Sequence, residues 1–317
     1  MKILSLFDWI ACWYEALLRA WIKIDKYYAS EIDKYAIQIA QKNHPDIIEV
    51  WDVQNIVGGG YDIDLLLWWS PCQWFSVAWK KLAFDDPRSK LFFEYVRVLK
   101  ETKPRYFLLE NVKMKKEWQD IISRELWVEP IEINSSLVSA QNRKRLYRTN
   151  IPGISQPKDK WILLKDVLEE KVDEKYYLSE EQVNQLLRRW KWRNDRWIEH
   201  LNIKSDEKIW AITSHCWAMC NTIKLIKEVE IPCATQIWNS PNFWNSYGSQ
   251  KAYTLRASNP NGVIEKHRIR KLTPIECERL QTLPDNYTEW VSDTQRYKML
   301  WNWRTVDVIA HILSFIW

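Results

Sequence analysis

The sequence predicts an α/β protein with a doubly wound, Rossmann-like parallel sheet and a smaller second domain. Between Lys2 and Val112, short apolar runs alternate with amphipathic helical patterns. This is the order of elements in a parallel sheet covered by helices on both faces. Polar or reactive residues follow several of the apolar runs, and doubly wound sheets bind their ligands at the carboxyl ends of their strands.

Periodicity and end signals give the individual elements of the first domain. The predicted strands are residues 2–7, 26–31, 47–50, 63–67 and 106–109, and the predicted helices are residues 14–20, 32–43 and 89–101. The second helix is closed by His44 and Pro45, because a proline cannot continue a helix and restricts the residue before it.

The alternating pattern stops near Trp161, where the chain becomes irregular and polar. We therefore predict a first domain over residues 1–160, a smaller domain over 161–265 and a C-terminal segment, 266–317, that returns to the first domain. Helical signals resume with Thr273-Pro274-Ile275-Glu276, a capping box with proline at the first helical position. Residues 305–316 are predicted to form a final apolar helix.

Tryptophan and glycine occur in unusual proportions. The 317 residues include 22 tryptophans and six glycines, whereas glycine averages about 7% of an ordinary protein. Several tryptophans occupy turn-like positions, as in Trp301-Asn302-Trp303, where a backbone favours glycine. We hypothesise that most of them stand for glycines encoded by UGA, which one variant genetic code reads as tryptophan and another as glycine. The alternative is a genuinely tryptophan-rich protein.

Charge and cysteine content restrict the class of protein. The net charge of +5 fits a nucleic-acid partner but is mild. We expect no membrane partner and a cytoplasmic location, because the sequence has neither a signal peptide nor a long apolar stretch. Six cysteines are too sparse for a disulfide scaffold. No metal is expected, since His215, Cys216, Cys220 and Cys233 match no common zinc spacing.

Two reactive side chains follow neighbouring predicted strands. Cys72 lies in a Ser-Pro-Cys-Gln loop after the strand that ends at residue 67, and Glu110 follows the strand 106–109. Both loops open into one crevice of a doubly wound sheet, so a nucleophilic thiolate and an acid would be neighbours. Arg143 and Arg145 alternate on an extended face that suits a polar substrate edge or a phosphate.

With tryptophan read as glycine, the chain resembles the DNA (cytosine-5)-methyltransferases over residues 1–155 and 265–317. The family's motifs occur in their usual order. They are Phe7-Asp8-Trp9-Ile10-Ala11-Cys12-Trp13 for the cofactor loop F-x-G-x-G-x-G, Pro71-Cys72-Gln73 for the nucleophile, Glu110-Asn111-Val112 for the acid, Gln141-x-Arg143-x-Arg145, the segment 270–287, and Trp301-Asn302-Trp303 for G-N-[GS]. Arg304 stands where relatives often have an aromatic residue.

The resemblance implies S-adenosylmethionine as the cofactor. The residues it assigns to the cofactor site are Phe7, Trp9, Trp13, Glu31, Asp52, Val53, Pro71, Asn302 and Val306. Glu31 and Asp52 match the acids that hold the ribose and the adenine. Literal tryptophans at positions 9 and 13 would fill the space that the methionine and ribose require.

The resemblance also implies the reaction and the partner. Cys72 Sγ attacks C6 of a cytosine flipped out of double-stranded DNA, which makes C5 nucleophilic toward the methyl group. Glu110 protonates or hydrogen-bonds N3, while Arg145, with Arg143 nearby, holds O2 or an adjacent phosphate. Loss of the C5 proton and β-elimination then free Cys72. Residues 161–265 correspond to the target-recognition domain, and we expect a monomer encoded by a bacterium or a phage.

Two other functions remain open from the sequence. A tRNA cytosine could replace the DNA cytosine in the same chemistry, because one sequence does not reveal what the recognition segment binds. A DNA-binding pseudoenzyme is the second alternative, and it requires the tryptophans to be real.

Overall fold

The fold is built on a seven-stranded sheet in the computed structural model. The structure describes residues 1–69, 87–179, 181–182, 233–236, 252–253, 261–265, 268–302 and 304–317. The strands up to residue 149 are β1 (Lys2–Leu6), β2 (Lys26–Ser30), β3 (Ile48–Glu49), β4 (Leu65–Trp69), β5 (Tyr106–Asn111), β6 (Ile131–Asn134), β7 (Gln141–Asn142) and β8 (Lys144–Thr149). All except β7 belong to the sheet.

The sheet has the spatial order β3-β2-β1-β4-β5-β8-β6. The five strands from β3 to β5 pair in parallel, and β8 is antiparallel to both β5 and β6. The chain runs outward from β1 to β3 and then returns to the other side of β1 with β4. This reversal is the switch point at which a doubly wound sheet opens a ligand crevice. The predicted fold class is therefore confirmed.

Helices cover both faces of the sheet. They are α1 (Cys12–Arg19), α2 (Lys34–Asn43), α3 (Pro87–Thr102), α4 (Lys116–Leu126), α5 (Pro274–Leu280), α6 (Asp293–Asn302) and α7 (Val306–Leu313). Successive residues of a strand point to opposite faces. Accordingly, Ile3 and Leu65 join the core cluster that includes α1 and α7, whereas Leu4 and Leu66 join the cluster that includes α3 and α4.

Two helices begin with a side-chain cap, and the sequence predicted the one at Thr273. The Asp33 side chain accepts hydrogen bonds from two backbone N–H groups at the start of α2. Thr273 begins α5 with a complete capping box: its hydroxyl accepts from the Glu276 backbone, and the Glu276 carboxylate accepts from the Thr273 backbone. These contacts satisfy backbone donors that have no partner inside the helix. The sequence interpretation missed α4 and β6.

Beyond the large sheet, the structure describes four further strands. They are β9 (Cys233–Gln236), β10 (Ala252–Tyr253), β11 (Asn261–Glu265) and β12 (Arg268–Lys271). β11 pairs antiparallel with both β9 and β12, while β10 pairs in parallel with β7. Most of residues 161–265 lie outside the described residues, so the domain boundaries at 160 and 265 remain a prediction.

Candidate active site

A buried carboxylate held by two arginines lies at the carboxyl end of β5. Glu110 is 1% exposed. Its Oε2 accepts a hydrogen bond from Nε of Arg304 at 2.8 Å, and its Oε1 lies 3.2 Å from Nε of Arg145. A buried charge is tolerated only when it is paired, so the two guanidinium groups fix the Glu110 carboxylate in place.

Strand pairing explains how Arg145 reaches Glu110. β8 is antiparallel to β5, with Tyr147 opposite Glu110 and Leu146 opposite Asn111. Arg145 is two residues from Tyr147, so both side chains lie on one face of the strand. The alternation predicted from the sequence thus brings Arg145 to the acid. Arg143 is also buried, and its backbone amide donates to the Asn134 side chain at 2.9 Å.

Arg304 is a site residue whose role the sequence interpretation did not explain. It lies between α6 and α7 and is 1% exposed, with its guanidinium 4.0 Å from the centre of the Trp13 ring and 5.6 Å from that of Trp69. Burial lowers the pKa of Arg304, and the Glu110 carboxylate opposes that shift. The sequence drew attention to Arg304 in one way only: it follows the Trp301-Asn302-Trp303 motif, at a position where relatives often have an aromatic residue.

The loop after β1 bends through three left-handed residues. Phe7, Trp9 and Ala11 have φ values of 55°, 59° and 59°. This path turns the Trp9 amide toward Glu31 at the end of β2, and the Glu31 carboxylate accepts that N–H at 3.0 Å. Burial raises the pKa of Glu31, while its bonds from backbone N–H groups oppose the shift. This hydrogen bond therefore links the loop after β1 to the residue that follows β2, and both belong to the predicted cofactor site.

The other predicted cofactor residues follow β3 or lie near α7. Asp52 is partly buried and caps a short 3-10 turn by accepting from the Gln54 amide at 2.9 Å. Val53 packs in the core cluster with α3. Asn302 ends α6, and Val306 begins α7 as a fully buried residue. Cys72 and Pro71 lie outside the described residues.

Two indole rings lie in the crevice between β1 and β4. Trp9 is 8% exposed, donates its indole N–H to the Met299 carbonyl at 3.2 Å and has its ring 6.3 Å from that of Trp69. Trp13 is fully buried beneath Arg304. A doubly wound fold places its ligand at this switch point. S-adenosylmethionine does not fit the chain with tryptophan at both positions, because their side chains fill the crevice.

The part of the chain that the structure describes contains no group of three or more histidine, cysteine, aspartate or glutamate side chains placed to hold a metal ion. None of its helices combines the length and apolarity needed to span a membrane.

Comparison with known proteins identifies the family. The family model described as C-5 cytosine-specific DNA methylase matches residues 1–125 and 133–316. The type II methyltransferase M1.ScrFI of Lactococcus lactis subsp. cremoris is 32% identical over 322 residues, which cover 92% of this chain and 71% of that protein. The type II methyltransferase M.NlaX of Neisseria lactamica is 30% identical, with coverage of 98% and 94%.

Solved structures show the same fold at low sequence identity. The Entamoeba histolytica methyltransferase EhMeth superimposes with a TM-score of 0.65 at 18% identity, covering 99% of this chain and 97% of that one. The Schizosaccharomyces pombe Dnmt2 methyltransferase gives a TM-score of 0.61, also at 18% identity and with the same coverage. The ordered motifs, the doubly wound sheet and the family match agree: the chain belongs to the C-5 cytosine-specific DNA methylase family, whose S-adenosylmethionine-dependent members methylate C5 of cytosine.

Proposed function

We propose that this chain, with glycine in place of the indoles at positions 9 and 13, methylates cytosine in double-stranded DNA, with Cys72 as the nucleophile toward C6 and Glu110 as the acid at N3. Arg145 holds O2 of the flipped base or an adjacent phosphate, and Arg143 supports the same edge. The observation that carries the proposal is the buried contact of Glu110 with Arg145, because it presents an oriented carboxylate beside a cation. Such a pair suits the N3 and O2 edge of cytosine.

The proposed chemistry passes through a covalent adduct between Cys72 and the cytosine. Attack of the Cys72 thiolate on C6 places negative charge in the ring, and a proton or hydrogen bond from Glu110 to N3 stabilises the resulting enamine, whose C5 is the nucleophile toward the methyl group. A methyl group is the group that the family's cofactor supplies. After C5 loses its proton to a base, elimination breaks the bond between Cys72 Sγ and C6 and restores the aromatic ring. The cytosine must leave the duplex for these contacts to form.

The proposal also covers the cofactor, the oligomeric state and the cellular location. We assign Phe7, Glu31, Asp52, Val53, Pro71, Asn302 and Val306 to S-adenosylmethionine, with positions 9 and 13 contributing backbone to its loop. A monomer located in the cytoplasm of a bacterial host fits the bacterial and phage sources of the relatives. A role in restriction–modification fits the type II relatives.

Bisulfite sequencing of plasmid DNA from an expressing host tests the function. Two genes are used, one coding the printed sequence and one coding glycine at the tryptophan positions. We expect 5-methylcytosine at one defined sequence in the culture that expresses the glycine form, because the indoles at positions 9 and 13 leave no room for the cofactor in the other form. Total tRNA from the same cells is the comparison substrate. Methylation confined to tRNA, or absent from both nucleic acids with well-folded protein, would contradict the proposal.

Two substitutions in the active form test the assigned roles. Cys72→Ser should abolish methylation while DNA binding persists, because an alcohol is a far weaker nucleophile than a thiolate. Glu110→Gln cannot give N3 a proton, so single-turnover methylation should slow by about 10²–10⁴-fold. Substantial turnover by the serine variant would remove Cys72 from the mechanism.

A further inference from the structure

We propose that the natural protein carries glycine at most of its tryptophan positions, beginning with five that the backbone itself identifies. Ten non-glycine residues of the described chain have left-handed φ angles. Five of these ten are tryptophans, although tryptophan provides only 22 of the 317 residues. They are Trp9, Trp21, Trp51, Trp127 and Trp161, with φ between 54° and 59°. A bulky side chain is a genuine outlier in this region, whereas glycine enters it freely.

The end of α1 shows why position 21 requires glycine. The Trp21 amide donates to the Leu18 carbonyl and the Ile22 amide donates to the Leu17 carbonyl, each at 3.0 Å. These two bonds form a Schellman motif with Trp21 at the left-handed position, which is usually glycine. The motif's hydrophobic partners, Ile22 and Leu17, are both buried. Every feature of the turn is regular except the residue type at its centre.

Position 127 is a second left-handed tryptophan at the end of a helix, α4. Trp127 is the C-cap of that helix, with φ of 54° and ψ of 28°. Its side chain is 79% exposed, and the side chains of Trp21 and Trp161 are 91% and 77% exposed. Tryptophan is usually well buried because of its large apolar surface. Three tryptophans at left-handed positions therefore bury little surface that could offset their backbone strain.

Buried tryptophans give a separate line of support. Trp13 and Trp68 are fully buried. Within the described part of the chain, neither indole N–H has a hydrogen-bond partner. A buried tryptophan normally finds a partner for this group, and leaving a buried donor unsatisfied is unfavourable. Glycine at these positions removes the unpaired donors.

Glycine at positions 9 and 13 also opens the crevice at the switch point. It removes the indoles that lie beside Trp69 and beneath Arg304, and the bond from the residue 9 amide to Glu31 stays intact because it uses only the backbone of residue 9. Translation of UGA as tryptophan, in a gene whose host reads UGA as glycine, produces these replacements together. The six printed glycines are then those with ordinary glycine codons.

The gene and the natural protein provide the direct test. We expect UGA codons at positions 9, 21, 51, 127 and 161, and peptide sequencing of protein from the natural host should give glycine there. UGG codons, or tryptophan in the natural peptides, would overturn the proposal. This result does not depend on methyltransferase activity, so it separates the inference from the proposed function.

A stability comparison tests the backbone argument. Trp127→Gly in the printed chain should raise Tm by about 2–5 °C, because it relieves left-handed strain. Trp127→Ala removes the indole but keeps Cβ, so we expect its Tm to stay below that of the glycine variant. Trp290→Gly is the matched control, because Trp290 is 53% exposed but is not left-handed, and its Tm should not rise.

Two results of this comparison would count against the inference. One is equal stability of the glycine and alanine variants at position 127. The other is a higher Tm for the printed chain than for a chain with glycine at all five positions. If the printed chain does not fold, refolding of the five-glycine chain is the expected result, and its failure to fold any better would contradict the proposal.

Discussion

At the scale of single residues, Arg304 is the side chain whose removal tests the site most directly. It acts through Glu110, which it contacts at 2.8 Å, and is therefore a positioning residue. Arg304→Leu leaves the buried Glu110 carboxylate with Arg145 as its remaining arginine. Hydrogen bonds to charged groups contribute about 1.5–3 kcal/mol, so we expect single-turnover methylation to slow by roughly 10–100-fold.

The conservative variant distinguishes positioning from simple structural support. Arg304→Lys keeps the positive charge and should recover part of the rate lost in Arg304→Leu, and the two variants should differ in the pH dependence of the rate. A role confined to folding predicts equal losses of Tm and unchanged rate constants for the folded enzyme. That pattern would exclude Arg304 from positioning Glu110.

Asp8 links the cofactor loop to the pH dependence of stability. Burial raises the pKa of Asp8 to about 6, against a bond from Tyr27 and the nearby charge of Arg304. The folded state thus holds the Asp8 proton more tightly than the unfolded state, whose pKa is near the ordinary value. In the printed chain, stability should fall as pH rises from about 4 to about 6, by about 3 kcal/mol from this group.

Asp8→Asn isolates that contribution. The amide does not titrate, so the difference in unfolding free energy between the variant and its parent should change across pH 4–6 and level off above it. Urea unfolding at several pH values provides the measurement. A difference that is constant with pH would show that Asp8 titrates alike in the folded and unfolded states.

At the scale of secondary-structure elements, the start of α5 offers a clear test of a sequence signal. Thr273 Oγ1 accepts from the Glu276 amide at 3.1 Å and also donates to Glu169. Loss of an N-cap hydroxyl typically costs about 1 kcal/mol, so Thr273→Ala should lower the free energy of unfolding by about that amount. Denaturant midpoints should show Thr273→Ser close to the parent. Equal effects of the two substitutions would refute the capping role.

Elements with strong local signals were predictable from the sequence. The strand around residues 106–109 reads as an apolar run, and the Thr273 motif carries both halves of a capping box, so local chemistry determines each of them. The helix α4 was missed, because its polar sequence and the tryptophan at its C-cap hide the stop signal that glycine provides. Strand β6 was missed because its apolar residues, Ile131 and Ile133, are only two in number.

The site was predictable where a motif names its residue, and unpredictable where packing brings distant residues together. Glu110 and Arg145 are 35 positions apart, and the family resemblance, rather than any local signal, assigned both of them to the same cytosine. Arg304 is much farther along the chain, and only the return of α7 to α1 and the sheet places it against Glu110. Nothing local to Arg304 encodes that contact, so the sequence could mark it only as a departure from the family.

At the scale of the whole molecule, the described strands connect the predicted recognition segment to the proposed catalytic residues. β10 pairs with β7, placing Ala252 opposite Gln141 and Tyr253 opposite Asn142, immediately before Arg143. β11, in turn, pairs with β12 at the start of the C-terminal segment. If residues 161–265 move when DNA binds, the movement would therefore reach the flanking segments at two strands, β7 and β12.

We predict that residues 161–265 select the DNA sequence while the flanking segments carry the chemistry. The segment is rich in polar and basic side chains, which suit phosphates and base edges. The predicted cluster of Arg188, Arg189, Arg193 and Arg196 lies outside the described residues. The alternative for that cluster is a solvated helix face. Replacing the whole segment with that of a related enzyme should change the methylated sequence and leave the target atom at C5.

The design of this exchange follows from the strand pairing. The new segment must supply its own β10 and β11, since β7 and β12 remain in the recipient and pair through backbone groups. Bisulfite sequencing gives the new target, and a chimera that also carries Cys72→Ser is the inactive control. The cluster of Glu110, Arg145 and Arg304 stays in the recipient. Loss of all methylation in a well-folded chimera would therefore indicate that the new β10 or β11 pairs out of register with β7 or β12. An unchanged target sequence would place recognition outside residues 161–265.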